Sequence, residues 1–212
     1  NTKSDAKALV QNLGCVWHEF PIDIYRTMIT SALSKEIDKN ELGDITKQNI
    51  QARFRGLILM SLANEYNSLL LTTGNKSELA MGYATLYGDM CGGLNIIGDI
   101  FKTDVFEIAK YINRHKEIIP ETIITREPSA ELAPDQKDKD SLPEYEILDE
   151  ILTRYIIEKK SLNELVKLND KQDVMLVMSK LSISEFKRFQ SPPILKLSSR
   201  AFGRGWQYPI IR

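Results

Sequence analysis

Thr72-Thr73-Gly74-Asn75-Lys76-Ser77-Glu78 brings three hydroxyls, a glycine, a lysine and a carboxylate into seven residues. Such a set suits a bound anion. In an open parallel sheet, ligands sit beyond the carboxyl ends of the strands, where backbone N–H groups of turns and helix starts face them. Gly74 lets the chain turn tightly, while Thr72, Thr73 and Ser77 offer hydroxyls. A carboxylate beside a phosphate site makes sense when Mg2+ lies between the two, which singles out Glu78. An N-capped helix after a strand accounts for any one of these residues taken singly.

Further candidates flank this segment. Residues 82–93 (Gly82-Tyr83-Ala84-Thr85-Leu86-Tyr87-Gly88-Asp89-Met90-Cys91-Gly92-Gly93) are rich in glycine and aromatic rings without hydrophobic periodicity, which suits close approach and stacking on a ligand. Cys91 has no histidine paired with it in sequence, so a nucleophilic role has no support. Upstream, Asn49, Arg53, Gly56 and Met60 fall on one stripe at helical spacing, with Ile50, Phe54, Leu57, Ile58 and Leu62 expected to face the core. That stripe reads equally well as a wall against an anionic ligand or as a solvated face. Lys102 and Lys187 are additional charge partners for phosphate or carboxylate.

These groups need elements to hold them. Periodicity predicts helices over residues 5–13, closed by Gly14, and over 23–35, 46–64 and 103–115, the last with Val105, Ile108, Ala109 and Ile112 inward. A further helix is marked by Tyr145, Leu148, Leu152, Tyr155 and Ile156. Ser161-x-x-Glu164 and Ser182-x-x-Glu185 have the form of capping boxes. Alternation predicts strands over 16–20, closed by Pro21, and over 68–72. Strands alternating with helices give an α/β fold, a doubly wound parallel sheet with a helical C-terminal region. Residues 133–143 are the only linker-like stretch.

Composition narrows the class. The 212 residues are 42% hydrophobic, with 28 Lys+Arg against 29 Asp+Glu, which fits one domain with a real core and excludes wholesale disorder. Cys15 and Cys91 are too few for a disulfide scaffold and fit a reducing compartment, so a cytoplasmic protein is expected. Together with His18 and His115 they lack the pairwise spacing of a zinc site, so any metal chemistry must use oxygen ligands. No apolar run approaches the roughly 20 residues that span a bilayer. The first residues lack the form of a signal peptide, and a start at Asn1 suggests that a natural N-terminus precedes it. Charge is blocked: residues 127–150 hold nine acids and two lysines, and residues 183–212 six basic residues and one acid. The acidic block reads as a solvated face. The basic tail interleaves Phe186, Phe189, Phe202, Trp206 and Tyr208 and suits RNA, a partner or an anionic ligand, with nucleic acid the weakest of the three because no arginine-rich stripe is present.

Taken together, Asn49-Ile50-Gln51-Ala52-Arg53, Leu71 to Glu78, Gly82 to Asp89, Arg126-Glu127-Pro128-Ser129-Ala130-Glu131-Leu132, Pro134-Asp135-Gln136 through Asp140-Ser141-Leu142-Pro143, Lys187-Arg188 and Ser199-Arg200-Ala201-Phe202-Gly203-Arg204 resemble the synthetase domain of glutamine-dependent NAD+ synthetases, over nearly the whole chain and in the family's order. The resemblance implies a fold of the ATP-pyrophosphatase type. It also implies a ligase reaction in which ATP adenylates the nicotinate carboxylate of deamido-NAD+ and ammonia, supplied by a glutaminase domain, attacks the acyl-adenylate to give NAD+. It further implies ATP contacts at Thr73, Lys102 and Ser129. For deamido-NAD+ it implies contacts at Asn49, Arg53, Glu78, Asp89 and Lys187, with Mg2+ at Glu78, a mobile acidic loop over the site, and assembly into homo-oligomers. The family's Ser-Gly-Gly-x-Asp-Ser pyrophosphate loop does not occur here, so residues 1–212 are expected to be a synthetase domain whose first βα unit lies upstream and which does not turn over alone. Leu86 and Gly93 stand where the shorter, ammonia-using relatives carry Lys and Asp, which favours the glutamine-dependent branch. The rival expectations are another ligase of the same superfamily, such as one acting on a purine nucleotide, and a non-catalytic binding or assembly module.

Overall fold

The computed structural model describes residues 2–38, 41–129, 142–203 and 205–210. Along the chain run α1 (Thr2–Leu13), α2 (Asp23–Glu36), α3 (Asp44–Glu65), β1 (Leu71–Thr72), α4 (Lys76–Met81), β2 (Leu94–Asn95), α5 (Lys102–Ile112), α6 (Glu121–Thr125), α7 (Tyr145–Leu152) with a π-helical turn at Thr153–Ile157, α8 (Leu162–Leu168), α9 (Lys171–Ile183) and α10 (Glu185–Arg188). β1 and β2 are parallel, with Leu71 opposite Leu94 and Thr72 opposite Asn95. Ile194 adds a single parallel bridge beside Asn95. The fold is α/β with a small parallel sheet and a predominance of helix.

Several boundaries differ from the sequence expectation for physical reasons. Residues 16–20 form no strand: all five are exposed, and an alternating segment becomes a strand only when a neighbour takes up its ladder, which none of the described residues does. The strand expected over 68–72 keeps only its last two residues, the ones that pair with Leu94 and Asn95. On α3 the buried positions are Ile50, Ala52 and Gly56, whereas Leu57, expected inward, is 60% exposed. Ile108 and Ile112 on α5 are likewise exposed. Ser182 lies inside α9 and opens no helix; the next helix begins after Ser184, whose side chain caps nothing. The box at Ser161 and Glu164 does form, and so does one not anticipated, between Asn75 and Glu78. Of the linker expected over 133–143 and the acidic stretch of 127–150, residues 130–141 lie outside the described residues, while residues 145–150 belong to α7, where Tyr145, Leu148 and Asp149 are buried rather than solvated.

The core lies where α4, α7, α8 and α9 meet. Leu148, Ile151, Leu152, Ile156, Leu165, Val174, Val177 and Leu181 are wholly buried there, each worth about 1.5–3 kcal/mol as an upper bound. Two buried ion pairs fasten other parts to it. The Lys76 ammonium donates to Asp99 (2.6 Å), the Ser198 hydroxyl (2.9 Å) and the Arg200 carbonyl (2.8 Å). Asp99 also accepts from the backbone N–H groups of Leu197 (2.8 Å) and Ser198 (2.5 Å), so the C-terminal strap is tied to the first residue of α4. Arg188 pairs with Glu185, donates to the carbonyls of Leu79 (3.2 Å), Ala80 (3.0 Å) and Leu181, and lies under the rings of Phe202 and Trp206.

Among the described residues, no helix is long and apolar enough to cross a membrane.

Candidate functional site

The chain turns out of β1 through Thr73 and Gly74 into α4, and Asn75 holds that start in a reciprocal cap. The Glu78 N–H donates to Asn75 Oδ1 (3.0 Å) and the Asn75 N–H to Glu78 Oε2 (3.1 Å). This fixes Glu78 with its other oxygen, Oε1, 3.2 Å from the Lys102 ammonium. Lys102 is positioned in turn by the first turn of α5. Its N–H donates to the Ser77 hydroxyl (2.9 Å), and the Thr103 N–H and hydroxyl both donate to Asp149 (2.9 Å each). Ser77 also donates to Asp149. A carboxylate from α7 therefore receives one of the free amides that a helix start leaves over, that of Thr103, together with two hydroxyls.

Burial pushes the Asp149 carboxyl above the ordinary value of 3.8, against the hydrogen bonds from Ser77 and Thr103. Because the folded-state value is raised, the folded chain holds this proton where the unfolded chain has lost it. The group's stabilising contribution is complete below 3.8 and is lost as pH rises through the folded value. Asp149→Asn is expected to flatten that part of the stability curve, read as chemical denaturation midpoints at steps from pH 3.5 upward; a curve parallel to that of the unsubstituted chain contradicts it.

Residues 82–89 form the opposite wall. Gly82 is left-handed (φ 66°) and closes α4, and a Cβ there would lie 2.2 Å from the Ser184 hydroxyl, so only glycine fits. Lys187, on α10, donates to the carbonyls of Gly82 (2.7 Å) and Ala84 (2.8 Å) and thereby shapes this loop. The Thr85 N–H donates to Asp89 (2.7 Å), and the Thr85 hydroxyl to Asn49 (2.9 Å) on α3. Asp89 keeps an exposed face, yet that face looks into a cavity. Desolvation raises its carboxyl, with the Thr85 amide and the Lys187 charge opposing. Burial lowers the Lys187 ammonium, with Asp89 opposing.

The cavity measures about 1080 Å³, at the upper end of ligand pockets, which run from about 300 to 1,000 Å³. Asn49, Thr73, Glu78, Asp89, Lys102, Ser129 and Lys187 all line it. Arg53 does not; it donates Nε to the Leu86 carbonyl (3.2 Å) away from the cavity. Sequence reasoning missed Arg55, Lys180 and Ser184, which do line it. Arg55 had a signal: Ile45, Gln48, Asn49, Ala52, Arg55, Gly56 and Leu59 follow the i, i+3, i+4, i+7 rows of one helix face, and Arg53, four residues after Asn49, falls beyond the edge of that face.

Among the described residues, no three His, Cys, Asp or Glu side chains gather to hold a metal. Glu78 can serve as a protein carboxylate for Mg2+, an ion that keeps water and substrate phosphate oxygens for its remaining positions, so the donor set fits that cation only together with a phosphate ligand.

A family model described as NAD synthase matches residues 1–191. The chain is 46% identical over 207 residues to a protein from Synechocystis named glutamine-dependent NAD(+) synthetase, covering 97% of this chain and 37% of that one. Among the solved structures that resemble it are two glutamine-dependent enzymes. One is a glutamine-dependent NAD(+) synthetase from Cytophaga hutchinsonii (TM-score 0.77, 26% identity, 100% of this chain and 36% of that one). The other is a glutamine-dependent NAD+ synthetase from Acinetobacter baumannii in complex with ADP (TM-score 0.57, 38% identity, 99% and 38%). The chain thus spans rather over a third of the length of the proteins it matches.

Proposed function

Because the chain belongs to the NAD synthase family, we propose that its cavity is where ATP activates the nicotinate carboxylate of deamido-NAD+ and ammonia completes the amide of NAD+. The observation that carries this reading is the convergence of Asn49, Thr73, Glu78, Asp89, Lys102, Ser129 and Lys187, drawn from six separate stretches of sequence, on one space large enough for more than a single mononucleotide.

The reaction asks three things of the protein: neutralisation of a triphosphate, alignment of a carboxylate with the α-phosphorus, and exclusion of water from a mixed anhydride. Thr73, at the carboxyl end of β1, and Ser129 offer hydroxyls to ATP, and the Lys102 ammonium offers charge. Asn49, Asp89 and Lys187 line the opposite wall, where the dinucleotide lies, and the Lys187 ammonium keeps the Gly82–Ala84 carbonyls turned so that the loop holds its shape. Mg2+, held by Glu78 and phosphate oxygens, supplies charge neutralisation when bound. Ammonia comes from a glutaminase activity, and the working protein is a cytoplasmic homo-oligomer.

The test is ATP-dependent formation of NAD+ from deamido-NAD+ and ammonia by the full-length protein, beside its Glu78→Gln variant. Glutamine can still close the cap at Asn75, so folding should hold while turnover falls by about 10²-fold or more. Preference for xanthylate over deamido-NAD+ in calorimetry would shift the reading to a purine-nucleotide ligase. Absence of NAD+ formation by the unsubstituted protein would remove the reading.

A further inference from the structure

One ion pair in the cavity anchors neither of its partners. The Glu78 carboxylate lies 3.2 Å from the Lys102 ammonium, and both residues line the cavity. Glu78 is already fixed by its reciprocal cap with Asn75, and Lys102 by its own N–H on the Ser77 hydroxyl. The two carboxylate oxygens are used differently. Oε2 receives the Asn75 amide (3.1 Å), so Oε1 is the oxygen left for an outside cation, and it is the one that Lys102 holds. The ammonium rests there in a built seat, 5.7 Å from the centre of the Phe106 ring and 5.6 Å from that of Tyr145. Two aromatic rings and a carboxylate favour a cation at this point while no ligand is bound.

We infer that the Lys102 ammonium is a resident stand-in for the metal at Glu78, a cation switch that keeps a free divalent ion out until a phosphate chain draws the lysine off. The inference rests on the reading above and adds to it the order in which the two cations change places. The distance from a carboxylate oxygen to Mg2+ is about 2.1 Å, so an ion on Oε1 could be no more than about 5 Å from an ammonium still 3.2 Å from that atom. Both side chains are only about one-fifth exposed, so water screens the repulsion between the two cations weakly and free metal is opposed. A triphosphate reverses the balance. Its oxygens give the ammonium new partners and complete the coordination that Glu78 alone leaves short, so both cations are satisfied together. The flexible four-carbon stem of Lys102 can carry its charge across while the backbone stays pinned to Ser77. The site then rejects the bare ion and admits the metal–nucleotide pair.

Mn2+ binding to the full-length protein, read by electron paramagnetic resonance with and without an α,β-methylene analogue of ATP, tests the switch. The unsubstituted protein should take up Mn2+ at this site only together with the analogue. Lys102→Met should bind Mn2+ alone about tenfold more tightly or better, while its affinity for the analogue falls about tenfold; the gain should vanish in the Lys102→Met, Glu78→Gln double variant. Lys102→Arg keeps the charge and should keep free Mn2+ out, whereas Lys102→Gln should behave as Lys102→Met. Free Mn2+ bound no better by Lys102→Met and Lys102→Gln than by the unsubstituted protein overturns the switch, as does a gain that survives the loss of Glu78. Parallel loss of Mn2+ and of the analogue in both variants marks Lys102 as a support of the site's fold and overturns it too. If the unsubstituted protein binds no Mn2+ even with the analogue present, the metal role of Glu78 in the functional reading fails, and the switch falls with it.

Discussion

Replacing Arg188 by alanine is expected to cost about 3–5 kcal/mol of unfolding free energy. The guanidinium is 2% exposed and every contact it makes is internal. Its removal leaves the Glu185 carboxylate, equally buried, without its cation, and frees the carbonyls of Leu79, Ala80 and Leu181 at the ends of two helices. It also takes the cation from beneath Phe202 and Trp206, the second of which meets Tyr155 and Tyr208 edge-on. Since folded domains hold only about 5–15 kcal/mol in all, the variant should melt some ten degrees lower. Arg188→Lys should recover little of this, because an ammonium cannot span three carbonyls and a carboxylate as a planar fork does. Denaturant midpoints measure the difference directly, and a loss below about 1 kcal/mol would show that the buried pair is replaceable by packing alone.

Lys76→Met should cost about 3 kcal/mol, with a different local signature. Asp99 would lose its cation but keep three donors, the Leu197 and Ser198 amides and the Ser198 hydroxyl. Asp99→Leu should therefore be the more damaging change, since it strands an ammonium and two backbone amides together. Burial alone pushes the Asp99 carboxyl up, but the donors from Lys76, Ser198 and Leu197 outweigh it and hold the group below its ordinary 3.8. Its stabilising contribution is present above 3.8 and disappears as pH falls through the lower folded value. In Lys76→Met, hydrogen exchange at Leu197 and Ser198 should quicken well before global unfolding; protection equal to that of the unsubstituted chain would detach the strap from Lys76.

Much of the site was legible because its chemistry is contiguous. Thr73, Glu78 and Asp89 lie in two short runs, and the local rules for turns, helix starts and glycine act within a few residues of each other. Asn49, on its helical stripe, and Lys187, as a lone charge, were weaker signals that resemblance sharpened, and the structure brings them to the same cavity. What sequence could not show depends on distant partners. Nothing near Lys76 tells that it turns inward, since its partners lie 23, 122 and 124 residues away. Lys180 is invisible as a site residue because α9 reads as an ordinary core helix. The stripe on α3 was phased from Asn49 through Arg53, and a rotation of one helix position moves the arginine in the cavity to Arg55. Residues 16–20 show the converse: the pattern for a strand was present and the neighbour that a strand requires was not.

The meeting of α3 with the 82–93 loop has a mechanical consequence. A Cβ on Gly56 would stand 2.9 Å from the Tyr87 and Gly88 carbonyls, and one on Gly88 would stand 3.0 Å from Ala52. Two backbones in such intimate register cannot slide or part by small steps, so that wall and the stretch leaning on it travel as one plate. Passage of cargo therefore cannot depend on a seam opening between α3 and that loop.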